Sequence, residues 1–230
     1  MAAMRRLAPL AAALALCAAC AGAAAAAGPG ARARPLVALD ALSPPPAAGS
    51  DESKADLAIV LWEQRTRSQE DVERSRREVG LGLEAFAGAL GPGFDAPAHP
   101  RTAALLDRAH AAATPIVGDA KARWRRPRPS DADPRVHSAV EREDTFSYPS
   151  SHGVRGVLIA RILAELAPSR WEALLAAGRR VGWDRVTAGA HYPSDVVGGQ
   201  QLGEAIAAAL LADPSFRAEL EAARVEWPAP

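Results

Sequence analysis

Prolines set at the starts of apolar, alanine-rich runs constrain this chain more than any other feature. Pro168, Pro193 and Pro214 each stand where a helix-forming stretch begins. A proline ring fixes φ at about −65° and removes a backbone N–H, which the first turn of a helix tolerates and a helix interior or central strand does not. The spacing predicts an apolar helix over 153–166, a second over 168–188 and a third over 194–212. Asp213 is the expected N-cap of a last helix that ends near residue 226. No stretch alternates as a half-buried strand does, and no internal repeat is present.

The first half continues the pattern. Residues 55–66 carry Leu57, Ile59, Val60, Leu61 and Trp62 on a helix with a buried face. Ser68 followed by Asp71 has the spacing of a capping box and opens a polar helix ending near Gly80. A short helix over 83–90 is closed by Gly91-Pro92-Gly93. Leu105, Leu106, Ala109, Ala112 and Ala113 recur at helical spacing in a long helix over 100–125, with a kink expected at Pro115. Pro127 and Pro129 stop it, because Arg126 and Arg128 are pushed toward extended backbone. Residues 130–145 lack periodicity and read as a loop at the mouth of a site. With Ala and Leu abundant and aromatics at 5%, the fold class is all-α, a single-domain helical bundle.

The N-terminus reads as a targeting segment. Arg5 and Arg6 precede an apolar run over 7–19 that is short for a membrane span, and small residues over 23–27 offer cleavage sites. Residues 1–27 are therefore a signal peptide, 28–52 an Ala-, Pro- and Gly-rich flexible linker, and 53–230 the domain. The expected location is periplasmic or secreted. Both cysteines, Cys17 and Cys20, lie in the leader, so cleavage after Cys20 leaves the domain without a disulfide. Ala18 and Ala19 also precede Cys20 as in a lipoprotein signal, and a lipid anchor there would tether the protein to a membrane. No other uncharged stretch is long enough to be a transmembrane segment. With 27 basic and 27 acidic residues the net charge is zero, which argues against a nucleic-acid surface. A homodimer through an exposed apolar helix face fits the composition, which does not indicate the face.

Polar residues collect where the apolar helices begin. His191 lies four residues before Asp195 at a helix start. That spacing lets the carboxylate fix one imidazole nitrogen and leaves the other as a nucleophile; the alternative is a simple capping pair. His152 opens the 153–166 helix, where free N–H groups and the dipole favour an anion and a protonated imidazole can act as general acid. The alternative is a helix-cap histidine. Ser150 serves as an N-cap, as a hydroxyl donor to phosphate, or as both. Lys121, Arg128 and Arg185 supply cations suited to phosphoryl oxygens. The neighbouring Arg123, Arg125 and Arg126 are expected to be solvated or salt-bridged. His99, His110 and His137 lack a ligand-like cluster, so no metal site and no cofactor are indicated.

Lys121-x6-Arg128-Pro129, then Pro149-Ser150-x-His152, then Arg185-x5-His191-x3-Asp195 resembles the tripartite signature of the type 2 phosphatidic acid phosphatase superfamily, which also holds the vanadium haloperoxidases. Within it the chain is most similar to the bacterial class A non-specific acid phosphatases. The likeness runs from Asp56 to Trp227 and includes Ser147-Tyr148-Pro149-Ser150, Leu163-Ala164-Glu165 and Asp213-Pro214-Ser215-Phe216. It implies the helical bundle of that superfamily and a metal-independent acid phosphatase acting on small phosphomonoesters. In that scheme His191 forms a phosphohistidine, Asp195 positions it, and His152 protonates the leaving alcohol and later activates water. Lys121, Arg128, Arg185, Ser150 and the Ser151 N–H hold the phosphate.

Two positions depart from the family pattern. Ser151 stands where glycine is usual and cannot adopt positive φ as cheaply. Asp184 stands where serine is usual, and a carboxylate there would either orient Arg185 or compete with phosphate for it. The alternatives to an acid phosphatase are a vanadium haloperoxidase, for which the chain is short, a lipid phosphate phosphatase, and a non-catalytic phosphate-binding helical protein.

Overall fold

The computed structural model describes Val37, residues 39–91 and residues 93–227. The leader, with Cys17 and Cys20, lies outside the described residues. Among the described residues there are helices, short 3-10 turns and connecting segments, and no strand. The helices are α1 (Asp51–Thr66), α2 (Gln69–Arg77), α3 (Ala87–Leu90), α4 (Pro100–Trp124), α5 (Pro129–Ala132), α6 (Ser151–Leu166), α7 (Trp171–Thr187), α8 (Pro193–Ala212) and α9 (Pro214–Ala223).

Local chemistry accounts for their starts. Ser50 caps α1 by accepting from the Ser53 N–H, and Ser68 and Asp71 form a reciprocal capping box on α2. Proline occupies the first turn of α4, α5, α8 and α9. Asp213 Oδ1 accepts from the N–H groups of Ser215 and Phe216 at 2.8 and 3.2 Å. The helix expected over 168–188 is divided into a 3-10 turn, Pro168–Arg170, and α7. α4 runs on through Pro115, which lies on the exposed face, where water can serve the carbonyl left without a donor. The carboxylate of Glu226 closes the bundle by accepting from the N–H groups of Arg101 and Thr102 at the start of α4, at 2.7 and 2.9 Å.

The stretch assigned to a flexible linker is folded onto the domain over its last part. Val37 and Leu42 belong to the main core, Leu39–Ala41 forms a 3-10 turn, and the Ser43 carbonyl accepts from the Tyr148 hydroxyl. Three apolar side chains, at 37, 39 and 42, give this segment surface to bury that its Pro- and Gly-rich composition obscures.

α6 is the central rod, packed against α7 on one side, α8 on another and α4 on a third. Val154, Leu158 and Ile162 of α6 meet Leu174 and Val181 of α7 and Leu202, Ile206 and Leu210 of α8 in one core. Glycine makes the contact close. A Cβ on Gly156 would lie 2.3 Å from the Gly178 carbonyl oxygen, and one on Gly203 would lie 2.6 Å from that of Val154. Backbone-to-backbone approach of three helices brings the start of α6, the end of α7 and the start of α8 to one point.

Candidate active site

Three segments meet at that point. α4 delivers Lys121 on its last turn and ends at Arg125, whose left-handed φ of 47° turns the chain. Arg126 and Arg128 follow, interleaved with Pro127 and Pro129. The non-helical segment before α6 is anchored at both ends of its last turn. The Ser147 N–H donates to the Arg126 carbonyl at 2.8 Å, and the Ser150 N–H to the Asp195 carbonyl at 2.9 Å. The Tyr148–Pro149 peptide between them is cis. α7 supplies Arg185, and the turn into α8 supplies His191 and Asp195.

All eight residues singled out from the sequence stand around this junction, and seven of them are buried; Ser151 alone is partly exposed. His191 Nδ1 faces Asp195 Oδ2 at 3.4 Å, and the same oxygen accepts from the Ser147 hydroxyl at 2.5 Å and the Tyr192 N–H at 2.9 Å. Asp195 therefore caps α8 and faces the imidazole at once, so the two readings of its spacing coexist. His191 Nε2 lies on the far side of the ring, 3.3 Å from Arg128 Nη1. Arg128 is further held by the carbonyls of Thr145 and Ala190, at 2.8 and 3.2 Å. Lys121 Nζ donates to the Phe146 carbonyl. Arg185 Nη1 donates to the Ser75 carbonyl at 2.8 Å, while its Nε and both ring nitrogens of His152 are buried without a protein partner. The Ser150 hydroxyl caps α6 by accepting from the Gly153 N–H at 3.2 Å.

Burial and convergent positive charge set the ionisation. Burial, then Arg185 and His191, push His152 down to about 3. Burial is also the main cause of His191 falling to about 4, opposed by Asp195 and assisted by Lys121 and Arg128. Both imidazoles are thus neutral before an anion arrives. Lys121 falls to about 8, through burial and then Arg128, and remains a cation in acid and neutral solution. Burial raises the Asp195 carboxyl, but His191, Arg126 and Ser147 outweigh it and hold Asp195 below its usual range. His191 thus presents a neutral imidazole with one nitrogen facing a carboxylate and the other facing cations.

The two departures resolve in the structure. Asp184 points at neither Arg185 nor the site: Arg74 of α2 grips it with Nε at 2.8 Å and Nη2 at 2.9 Å. The carboxylate ties α2 to α7 and makes no hydrogen bond to Arg185. Ser151 is the first residue of α6, and among the described residues Arg125 alone of the non-glycines has positive φ, so serine fits without backbone strain.

Three residues that contact the candidate site residues were missed or undervalued in the sequence. Of the two states expected for Arg126 it is the salt-bridged one, and it is buried, donating to Asp195 Oδ1 at 2.6 Å, Asp56 Oδ2 at 2.8 Å and Ser194 Oγ at 2.7 Å. Ser147 holds Asp195, and Glu143 accepts from Arg128 Nη2 at 2.8 Å. Arg126 sits two residues before a motif arginine and next to Pro127, which was a usable signal; Glu143 lies in an unpatterned loop and gave none.

The profile of the PAP2 superfamily matches residues 108–218. An acid phosphatase of Zymomonas mobilis is 33% identical over 193 residues, covering 80% of this chain and 73% of that protein. The chain belongs to the PAP2 superfamily. A non-specific acid phosphatase of Providencia stuartii is 27% identical over 81% of this chain and 79% of its own length. One of Salmonella typhimurium is 38% identical over 39% of this chain and 38% of its own. Among solved structures, a transmembrane PAP2 type phosphatidylglycerolphosphate phosphatase from Bacillus subtilis aligns with a TM-score of 0.47 at 21% identity, covering 69% of this chain and 84% of that one. This PAP2 protein is an acid phosphatase. Among the described residues no helix is long and apolar enough to cross a membrane.

Proposed function

We propose that this PAP2 phosphatase hydrolyses small phosphomonoesters through a phosphohistidine on His191. The carrying observation is the convergence of two buried, neutral imidazoles with Lys121, Arg128 and Arg185, drawn from three separate segments, at one helix N-terminus. The phosphoryl oxygens bind these cations, the Ser150 hydroxyl and the Ser151 N–H. Asp195 holds the Nδ1 proton of His191, leaving the Nε2 lone pair to attack phosphorus in line. The P–O bond to the alcohol breaks as the N–P bond forms, and His152 gives its proton to the departing oxygen. Water then attacks the phosphohistidine while neutral His152 takes its proton, and phosphate leaves with His191 regenerated.

The low proton affinity of His152 in the ligand-free site fits this cycle. A bound phosphate dianion offsets the surrounding cations and raises that affinity, so the acid is charged by substrate binding itself. The alcohol moiety lies in a cavity of about 260 Å³ between α4 and α6, lined by Ala113, Val117, Val154 and Arg155 and opening beside Lys121 and Ser151. Export follows from the leader, either by cleavage or with a lipid on Cys20, to the periplasm or beyond. The exposed Ile59, Trp62, Trp183 and Val197 are the apolar side chains a homodimer would cover.

Hydrolysis of an aryl phosphate with a metal chelator present tests the mechanism. Activity is expected to persist in the parent and to fall by at least about a thousandfold in His191→Ala, with phosphate binding retained. Full activity of that variant would sink the phosphohistidine reading.

A further inference from the structure

We propose that Glu143 is an internal anion that competes with substrate for the cation cluster and thereby sets the enzyme's affinity for phosphate. This rests on the assignment of that cluster as the phosphate site. Glu143 Oε2 accepts from Arg128 Nη2 at 2.8 Å, with the arginine side chain 3% exposed and the glutamate 37%. Its negative charge also acts on Lys121, His152, His191 and Arg185, which come from the ends of α4 and α7, the start of α6 and the turn into α8. One carboxylate reaches all of these only from near the place where they converge. It also lines the cavity beside Lys121 and Ser151, between the reacting groups and the space for the alcohol.

Neighbouring charges leave Glu143 to this task. Arg142 is turned to Asp131, with Nε 2.8 Å from Oδ1, so it does not neutralise Glu143. Thr145 Oγ1 is 3.5 Å from Glu143 Oε2 and adds little. Residue 143 lies outside any helix, on the segment between α5 and α6, and its side chain reaches water. It can therefore turn outward without breaking a backbone ladder. A carboxylate brings one charge and two oxygens to the cations, whereas a phosphoryl dianion brings two charges and three oxygens and wins the exchange.

The consequence is quantitative. When a ligand must displace an internal occupant, its apparent dissociation constant is the intrinsic one divided by the fraction of molecules with the site free. If about a tenth of molecules have Glu143 turned out, phosphate binds about tenfold more weakly than the cations alone would allow. Every phosphoryl ligand bears the same factor, and the chemical step, which follows displacement, bears none.

Glu143→Gln keeps the shape and removes the charge. With an aryl phosphate as substrate and inorganic phosphate as inhibitor at pH 6, KM and Ki are expected to fall together, about 5- to 10-fold, with kcat within about twofold. Glu143→Asp, with a shorter arm, is expected to fall between, and its melting temperature with that of the glutamine variant reports folding. Unchanged KM and Ki would overturn the proposal. So would a raised KM with a collapsed kcat, which would make Glu143 a residue that holds Arg128 in its working position. His191→Ala and Arg128→Ala run alongside: activity surviving in those would sink the site assignment, whereas their inactivity with an unmoved Glu143→Gln would sink the competitor alone.

Discussion

Replacing Arg126 with methionine removes a buried guanidinium that three acceptors share. Asp195 Oδ1 at 2.6 Å, Asp56 Oδ2 at 2.8 Å and Ser194 Oγ at 2.7 Å all lose the guanidinium, and two carboxylates, both under a tenth exposed, are left facing each other's field. Deleting one partner of a buried ion pair costs about 3–5 kcal/mol because the remaining charge stays desolvated. Here two charges remain, so the upper part of that range is expected, read as a shift in the urea midpoint. Asp56→Asn removes one of them, so Arg126→Met/Asp56→Asn should recover at least about 1 kcal/mol relative to Arg126→Met. Arg126 also fixes the Asp195 carboxylate that faces His191 Nδ1. In the folded variant kcat should fall about 10- to 100-fold with KM little changed, since Arg126 does not face the phosphate position. A cost below about 1 kcal/mol, or a double variant no more stable than Arg126→Met, would refute the pairing argument.

Two further outcomes are expected. In Gly156→Ala the new methyl meets the Gly178 carbonyl oxygen at 2.3 Å, so α6 and α7 must separate, costing about 1–3 kcal/mol in urea unfolding and lowering kcat as His152 moves from Arg185; an unchanged midpoint would contradict the close approach. Because His152 and His191 have depressed folded values, of about 3 and 4, their contribution to stability is present above the unfolded histidine value of about 6.5 and is lost as pH falls toward them. Stability should decline by up to about 1.4 kcal/mol per pH unit per histidine between pH 6.5 and 4, less steeply in His152→Ala; a parent and variant with equal slopes would show that His152 is not buried in its neutral form.

The helices were legible because their signals are local. The Ser68–Asp71 box, Asp213, Pro193 and Pro214 each act within one turn, and each sits at an observed helix start. The convergence of the eight candidate residues was legible for a different reason: three spaced motifs fix residue types at helix ends, and helix ends are where the bundle brings its segments together. What escaped was long-range. Arg126 finds Asp56 from 70 residues away and Arg74 finds Asp184 from 110, and no pattern near either residue names its partner. The glycines of α6, α7 and α8 look like weak helix formers in sequence, and only the packed helices show that they permit backbone contact. Val37 and residues 39–50 looked like linker by composition, since their few apolar side chains are outnumbered by prolines and small residues.

The site is also built so that its parts are held before substrate comes but not satisfied. Lys121 rests on the Phe146 carbonyl, Arg128 on the carbonyls of Thr145 and Ala190, and Arg185 on that of Ser75. These contacts fix the cations in place, so little reorganisation is left for the reacting complex. Yet three buried donors or acceptors, Arg185 Nε and the two ring nitrogens of His152, have no protein partner, and leaving such groups unpaired costs free energy. An anion with three oxygens beside them supplies acceptors to the guanidinium and to a protonated imidazole together. On the proposed mechanism, binding would do more than hold substrate: it would move His152 from the neutral form favoured by burial to the charged form that can release an alcohol. On that mechanism a substrate lacking the full phosphoryl charge would bind without charging His152, and the burial that depresses this histidine would tie turnover to the phosphate itself.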